Sequence, residues 1–390
     1  MARGLFPKYY RQLAVLAVLE TLSRGVIVMV RASLTCVLML SLASCHHSDG
    51  GAVTSPPAAE ASAAISYKLL DTLKIGGEGG WDYLTLDATG KRLYITRTTH
   101  TMIVDTADGK TLADISGTQR AHGVALAPEA NRGFITDGKA GTVTVFDLDS
   151  HEVLGTVAAA DDADGIVYDP ASRRVWVTCG DAGVVAPIDA DVDLKSGKSQ
   201  PLVQLGGKPE FLVADGRGKL YVASQDKNEV VVVDTVAMKV VAHWPTLPGM
   251  QPTGMAMDRK SGRVFVGCRN QKMIVMDAAN GAVIADLPIG KGVDAAAFDR
   301  GAGLASCGDG TLTVVRESPG GKLVVSQVVT TERGARTMAV DSVTGKIYLA
   351  TADFEPVPAA GAEGAKKRPK PVPGTFRILV LEPVKGPPAQ

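Results

Sequence analysis

The stretch YLTLDATGKRLYIT (83–96) returns as IVYDPASRRVWVT (166–178), FLVADGRGKLYVA (211–223) and MAVDSVTGKIYLA (338–350). Each copy is a short apolar strand that ends at an acidic or turn position, then a turn, then a second β-rich stretch. Seven copies lie between Trp81 and Thr351, with the strand-ending position at Asp87, Ala127, Asp169, Asp215, Asp258, Asp299 and Asp341, a period of 40 to 46 residues. A third strand follows and usually ends in Asp, as at Asp105, Asp147, Asp189, Asp234 and Asp277. A fourth completes the unit, as in VVAHW (240–244) and AVIADL (282–287). Four strands per unit at this period predict a β-propeller of seven four-stranded blades.

Apolar runs or alternation of four to six residues, bounded by Asp-Gly, Thr-Gly, Pro-Ala and Ser-Gly turns, fit short strands joined by tight hairpins. The first strand of several units opens with a small residue: Gly123, Gly165, Gly254, Ala295. Innermost strands converge on the axis, where bulky side chains collide. The seventh unit supplies FRILVLEP (376–383) as its third strand and no fourth. The orphan strand YKLLDTLKIG (67–76) precedes the first unit, so it is expected to pair with the last blade and close the ring.

The propeller is expected to fill residues 65–385, with an insertion at 353–375 in the last blade and a short tail at 386–390. In front of it, Arg24 and Arg31 precede the apolar run LTCVLMLSLAS (34–44) and Cys45. That run is too short for a stable membrane span. Residues 1–45 therefore read as a targeting segment, with Met29 as a second candidate start. Leu42-Ala43-Ser44-Cys45 resembles a bacterial lipobox, which makes Cys45 the expected lipidation site. An ordinary cleaved signal or a short anchor is the alternative. His46 stands where an inner-membrane retention signal would have Asp, so the expected location is the periplasm or cell surface, anchored by lipid in the outer membrane. Residues 46–64 are a small-residue, Pro-containing tether.

Net charge is zero. Removing the five basic residues and one acidic residue of 1–45 from 41 and 41 leaves 36 against 40, or −4. This balance argues against nucleic acid as a partner. Cys179, Cys268 and Cys307 share one register at the end of a second strand, where neighbouring units diverge. They read as buried thiols rather than a disulfide or a thiolate metal site.

Five residues before each strand-ending position stand Asp82, His122, Asp164, Glu210, Thr253, Asp294 and Arg336. All are polar, whereas their neighbours are mostly Gly, Ala, Pro or apolar. They should ring one mouth of the central channel, with a charge of −3 when His122 is neutral. Arg336 is placed to bridge Asp294 and Asp82, and His122 falls between Asp82 and Asp164. A divalent cation, a cationic ligand group or ordered water would relieve the repulsion. Three readings stay open: a solvated rim that specifies blade order, a ligand-binding site, or a metal-assisted hydrolase or lyase using Asp164, Glu210 and His122. Trp81 is either an aromatic platform for that ligand or a packing residue. The insertion carries Lys366, Lys367, Arg368 and Lys370, and reads as a lid over the mouth or as a plain loop. No nucleophile elbow, P-loop, zincin or dinucleotide motif occurs in its required context.

The repeats resemble the YVTN family of bacterial propeller proteins, the YncE-like group. Its motif, P-x-G-V-A-V-D followed by V-Y-V, is matched by Pro252-Thr253-Gly254-Met255-Ala256-Met257-Asp258 with Val264-Phe265-Val266. It is matched again by Pro209 to Asp215 with Leu220-Tyr221-Val222. The resemblance spans about residues 67–383 and implies a monomeric extracytoplasmic binding or scaffold propeller, whose partner is a small molecule or a protein. Departures fall at Ala127-Pro128, which lacks the terminal Asp, and at Ala305, which lacks the aromatic.

Overall fold

The computed structural model describes residues 65–356 and 369–385. The expected targeting segment, Cys45, the tether, the tail and positions 357–368 of the insertion lie outside the described residues. In chain order the strands are β1 (Ile65–Lys74), β2 (Leu84–Leu86), β3 (Arg92–Asp105), β4 (Thr111–Ala127), β5 (Arg132–Asp137), β6 (Thr142–Asp147) and β7 (Val153–Ala158). Next come β8 (Ala163–Asp169), β9 (Arg174–Cys179), β10 (Val184–Asp189), β11 (Val203–Gln204), β12 (Pro209–Ala214), β13 (Lys219–Ser224), β14 (Glu229–Asp234) and β15 (Lys239–Pro245). Then follow β16 (Pro252–Asp258), β17 (Arg263–Cys268), β18 (Lys272–Asp277), β19 (Val283–Pro288), β20 (Val293–Asp299), β21 (Ala302–Cys307), β22 (Thr311–Glu317) and β23 (Leu323–Thr330). The last unit contributes β24 (Thr337–Val340), β25 (Ile347–Thr351) and β26 (Arg377–Lys385).

These strands form six sheets, so the propeller has six blades and not the seven four-stranded ones expected. Five sheets are four-stranded, and the sixth runs β2-β3-β4-β5-β6-β7 and absorbs the first two repeat units. Two long strands cause the fusion. β3 turns at Thr98, where φ is +54°, and continues through the third strand of unit one. β4 carries the outer strand of unit one and the inner strand of unit two. Thr98 pairs with Ala121 across them. The link Gly117–Arg120 bulges out of the β3–β4 ladder between Ser116 and Ala121, and the Asp137 carboxylate holds it by accepting from Gln119 N (2.8 Å) and Arg120 N (3.2 Å). A count of motifs cannot see such a seam, since the motif is intact on both sides.

The inner strands β2, β4, β8, β12, β16, β20 and β24 pack against one another in that cyclic order. They approach so closely that side chains are excluded at points. A Cβ on Gly165 would lie 2.7 Å from the Glu210 carbonyl oxygen, and one on Gly254 would lie 2.7 Å from the Ala295 backbone. Cores form between adjacent sheets, as where Phe134, Val143 and Val145 meet Val175 and Val177. Each such side chain, fully buried, contributes about 1.5–3 kcal/mol.

The segment expected to close the ring lies in β1, which pairs antiparallel with β26 from Ile65↔Lys385 to Lys74↔Arg377. This makes the last blade β1-β26-β25-β24. It takes strands from both ends of the described chain, so neither is left as an open edge.

The recurring Asp has a local cause. Its carboxylate accepts backbone N–H groups of the following turn: Asp87 from Lys91 (3.0 Å), Asp215 from Arg217 (2.7 Å), Asp341 from Val343 (2.8 Å). Third-strand Asp residues do the same, Asp105 from Ala107 (2.8 Å) and Asp277 from Ala279 (2.7 Å). Such side-chain-to-backbone bonds end a strand and set its hairpin. At Ala127-Pro128 a single 3-10 turn, Pro128–Ala130, replaces the device, and Asn131 closes it with φ +51°. Near Ala305 the missing aromatic volume comes from elsewhere: Phe265 stacks on Phe298 at 5.3 Å, over the bare Gly303.

Candidate functional site

Side-chain hydroxyls hold the backbone of the polar ring. Thr96 Oγ1 donates to the His122 carbonyl (2.7 Å), Thr136 to that of Asp164 (2.8 Å), Thr178 to that of Glu210 (2.9 Å), and Ser306 to that of Arg336 (2.5 Å). The donor always stands at the end of a second strand and the acceptor in the next repeat unit. Each ring residue so held is fixed relative to its predecessor. The sequence signal was a Thr or Ser closing the motif, and it went unread because Thr is common in strands.

The ring is not uniform. Asp82, His122 and Asp164 come together: His122 Nδ1 lies 2.6 Å from Asp82 Oδ2 and 3.4 Å from Asp164 Oδ1. Ligand atoms of the three lie within 4.8 Å of one another. Burial lowers the His122 pKa, but the hydrogen bond to Asp82 and the charges of Asp164 and Asp82 outweigh it and hold it above the ordinary value. Burial pushes Asp164 well up, and the charges of Asp82 and Glu210 add to this against the relief from His122. Asp164 Oδ1 accepts no hydrogen bond within the described residues, and His122 Nε2 is likewise without a partner.

Elsewhere the ring departs from expectation. Arg336 does not bridge two carboxylates; its guanidinium bonds Asp294 (2.8 Å), while Asp82 turns to His122. Glu210 has a cation beside it that is not one of the seven aligned positions: Arg269 lies 3.3 Å from it. Arg269 follows the end of β17, in a loop on the same face but outside the aligned register, so alignment at one position missed it. Burial raises the Glu210 pKa against Arg269, and it pushes Asp294 up to about 6 against Arg336. Thr253 is fully buried and its hydroxyl donates to the Gln251 carbonyl (3.1 Å), so it offers nothing to the mouth.

Tyr83, next along the chain from Asp82, was also missed because it reads as part of the apolar motif. Its ring lies 5.0 Å from that of Phe211. Burial, then Asp164, Asp82, Asp294 and Glu210, push its phenol well up. It is therefore a neutral hydroxyl in the midst of four carboxyl groups. Trp81 packs between Phe376 (5.2 Å) and Phe354 (6.0 Å), so it has the packing role, and it also walls a cavity described below. The ends of the insertion meet: Glu355 N donates to the Lys370 carbonyl (2.9 Å) and Val372 N to that of Asp353 (2.8 Å). Cys179, Cys268 and Cys307 are buried free thiols, each pushed up to about 12 chiefly by burial, and they take no part in the mouth.

Among solved structures the chain is similar to the crystal structure of the RRP9 WD40 repeats, with a TM-score of 0.64 over 82% of this chain and 100% of that one. The fold is that of a WD40-like β-propeller. Identity to that structure is 9%, so the likeness extends to the fold alone. No protein-family model matches the propeller's sequence, and no curated protein matches it. Its similarity to the YVTN group thus rests on the repeat motif.

Proposed function

We propose that this propeller is an extracytoplasmic binding protein of YVTN type, whose ligand presents a cation to the arc Asp82, Asp164 and Glu210. The observation that carries the reading is Asp164, buried among like charges with an oxygen that accepts no hydrogen bond from the described residues. Among the described residues its sole close counter-charge is His122, which Asp82 already engages at 2.6 Å. A cation in the arc would satisfy that oxygen and offset the repulsion. One imidazole and several carboxylates suit manganese or zinc better than an all-oxygen site for calcium. Protons compete with the cation at His122 and Asp164, so binding strengthens as pH rises.

Calorimetric titration with manganese, zinc, magnesium and a small alkylammonium ion tests the reading. Saturable binding of one of them, lost in Asp164→Asn combined with Glu210→Gln, is expected. A wild-type protein that takes up none overturns it. The second reading, a metal-assisted hydrolase or lyase, draws on the convergence of Asp82, His122 and Asp164 within 4.8 Å. It additionally requires that the bound metal support turnover, which the double variant would abolish. The lipobox-like Leu42 to Cys45 supports attachment to a membrane through Cys45.

A further inference from the structure

A second concavity lies beside the acidic arc and has the opposite character. It encloses about 520 Å3, a volume typical of small-molecule sites. Its walls include the rings of Trp81 and Phe354, Pro369 and Pro371 of the insertion's returning end, and the cationic side chains of Arg333, Arg336 and Lys370. No carboxylate lines it among the described residues. Arg336 is bound to Asp294 at 2.8 Å, and a guanidinium with five donors retains capacity after one such contact. Arg333 and Lys370 are exposed, and neither side chain has an ion-pair partner among the described residues. The acids nearest Arg333 in the chain and across the loop, Glu332 and Asp353, are both held by Arg377. The buried indole N–H of Trp81 has no acceptor among the described residues.

Three cations and an unpaired N–H around two aromatic rings fit one kind of guest. We propose that this cavity binds a planar organic carboxylate, with its ring laid against the wall that Trp81 and Phe354 form together and its carboxylate on Arg333, Arg336 and Lys370. An aromatic guest replaces water against the apolar walls, and a carboxylate accepts from guanidinium groups in paired geometry. The site uses different side chains and an opposite ligand charge from the acidic arc, so it stands or falls independently of the cation reading.

The test is calorimetric titration with 2-naphthoate as the probe and 2-naphthamide as its neutral counterpart. Wild type should bind the carboxylate saturably and the amide at least about tenfold more weakly, the usual effect of losing charge-assisted hydrogen bonds. Arg333→Gln with Lys370→Gln removes two exposed side chains and should melt like wild type while losing affinity for 2-naphthoate by a similar factor. Trp81→Leu should weaken the carboxylate and the amide alike. Equal binding of carboxylate and amide, undiminished affinity in the double variant, or no saturable binding of 2-naphthoate to wild type each overturns the proposal.

Discussion

The guanidinium carbon of Arg97 lies 4.0 Å from the centroid of the Phe376 ring. Arg97 is 1% exposed and has no carboxylate in contact among the described residues. Its donors go instead to the carbonyl oxygens of Glu78 (2.7 Å), Gly80 (3.1 Å), Gly76 (3.2 Å) and Gly79 (3.4 Å). One buried cation therefore ties the 76–80 loop, which leads into the ring, to Phe376, the residue just before β26, which closes it. Burial pulls its pKa down to about 10, so it stays charged at neutral pH. The same Phe376 supports Trp81, and through it the wall of the cavity.

Arg97→Met should cost about 2–4 kcal/mol, because it strands several buried carbonyls and removes a cation–π contact. Arg97→Lys keeps the charge but lacks the planar fork that reaches four oxygens, so it should recover only part of the loss. Denaturant melts of the three proteins give the comparison. A loss below about 1 kcal/mol for Arg97→Met would show that water replaces the guanidinium.

The hydroxyl clamps make a second prediction. Thr178 is fully buried and donates to Glu210 O (2.9 Å) and Gly165 O (3.3 Å). Thr178→Val preserves shape and β-branching and removes the donor. A loss of about 1–3 kcal/mol is expected from the unpaired Glu210 carbonyl. Thr89→Val, whose exposed hydroxyl bonds only within its own turn, serves as the control and should change little.

Much of the architecture was legible because the signals were local. Strand-ending Asp residues announced hairpins, small residues marked the inner strands, and the orphan strand before Trp81 announced its place beside β26. The six-bladed arrangement was not legible. It depends on whether four residues, Gly117–Arg120, carry β4 from one paired stretch to the next as a bulge, and a carboxylate from another strand, Asp137, holds them there. At the site, alignment at one register found Asp82, His122 and Asp164, which do meet. It missed Arg269 and Tyr83, and it gave Arg336 a second partner, Asp82, beside the Asp294 that it does bond, since ion pairing depends on side-chain reach across blades.

Stability should fall as pH rises from about 4 to about 7. Asp294 has its folded pKa raised to about 6, above the unfolded value near 3.9. Its contribution is fully present below the unfolded pKa and is lost as pH rises through the folded one. His122, also raised, acts in the same direction from about 6.5 upward. The opposite behaviour of Asp234 and Asp341, whose pKa values are lowered, sets in at lower pH. Melting temperatures of wild type across this range should decline, and Asp294→Asn should decline less steeply. Parallel curves for the two proteins would remove Asp294 from the account.

If Cys45 carries the lipid, Cys45→Ala should abolish incorporation of labelled palmitate in cells and leave the protein in the soluble fraction. Incorporation in the variant at the wild-type level would exclude Cys45 as the acceptor.

Ring closure gives the sharpest test. β1 contributes two buried side chains, Tyr67 (2% exposed) and Leu73 (6%), while Leu69 and Leu70 face outward. Tyr67 is also held through its backbone, whose N–H donates to Gln327 Oε1 (2.8 Å) and whose carbonyl accepts from Gln327 Nε2 (2.8 Å). Removing residues 1–64 leaves all of this in place and should not change the melt. Removing residues 1–76 takes away both core side chains, at roughly 1.5–3 kcal/mol each, and opens the edge of β26 to other chains. It also deletes the Gly76 carbonyl that Arg97 engages. Against a typical total of about 5–15 kcal/mol, that loss should produce aggregation or a large fall in melting temperature. Indistinguishable melts for the two truncated proteins would mean that β26 needs no partner and that β1 is dispensable to the ring.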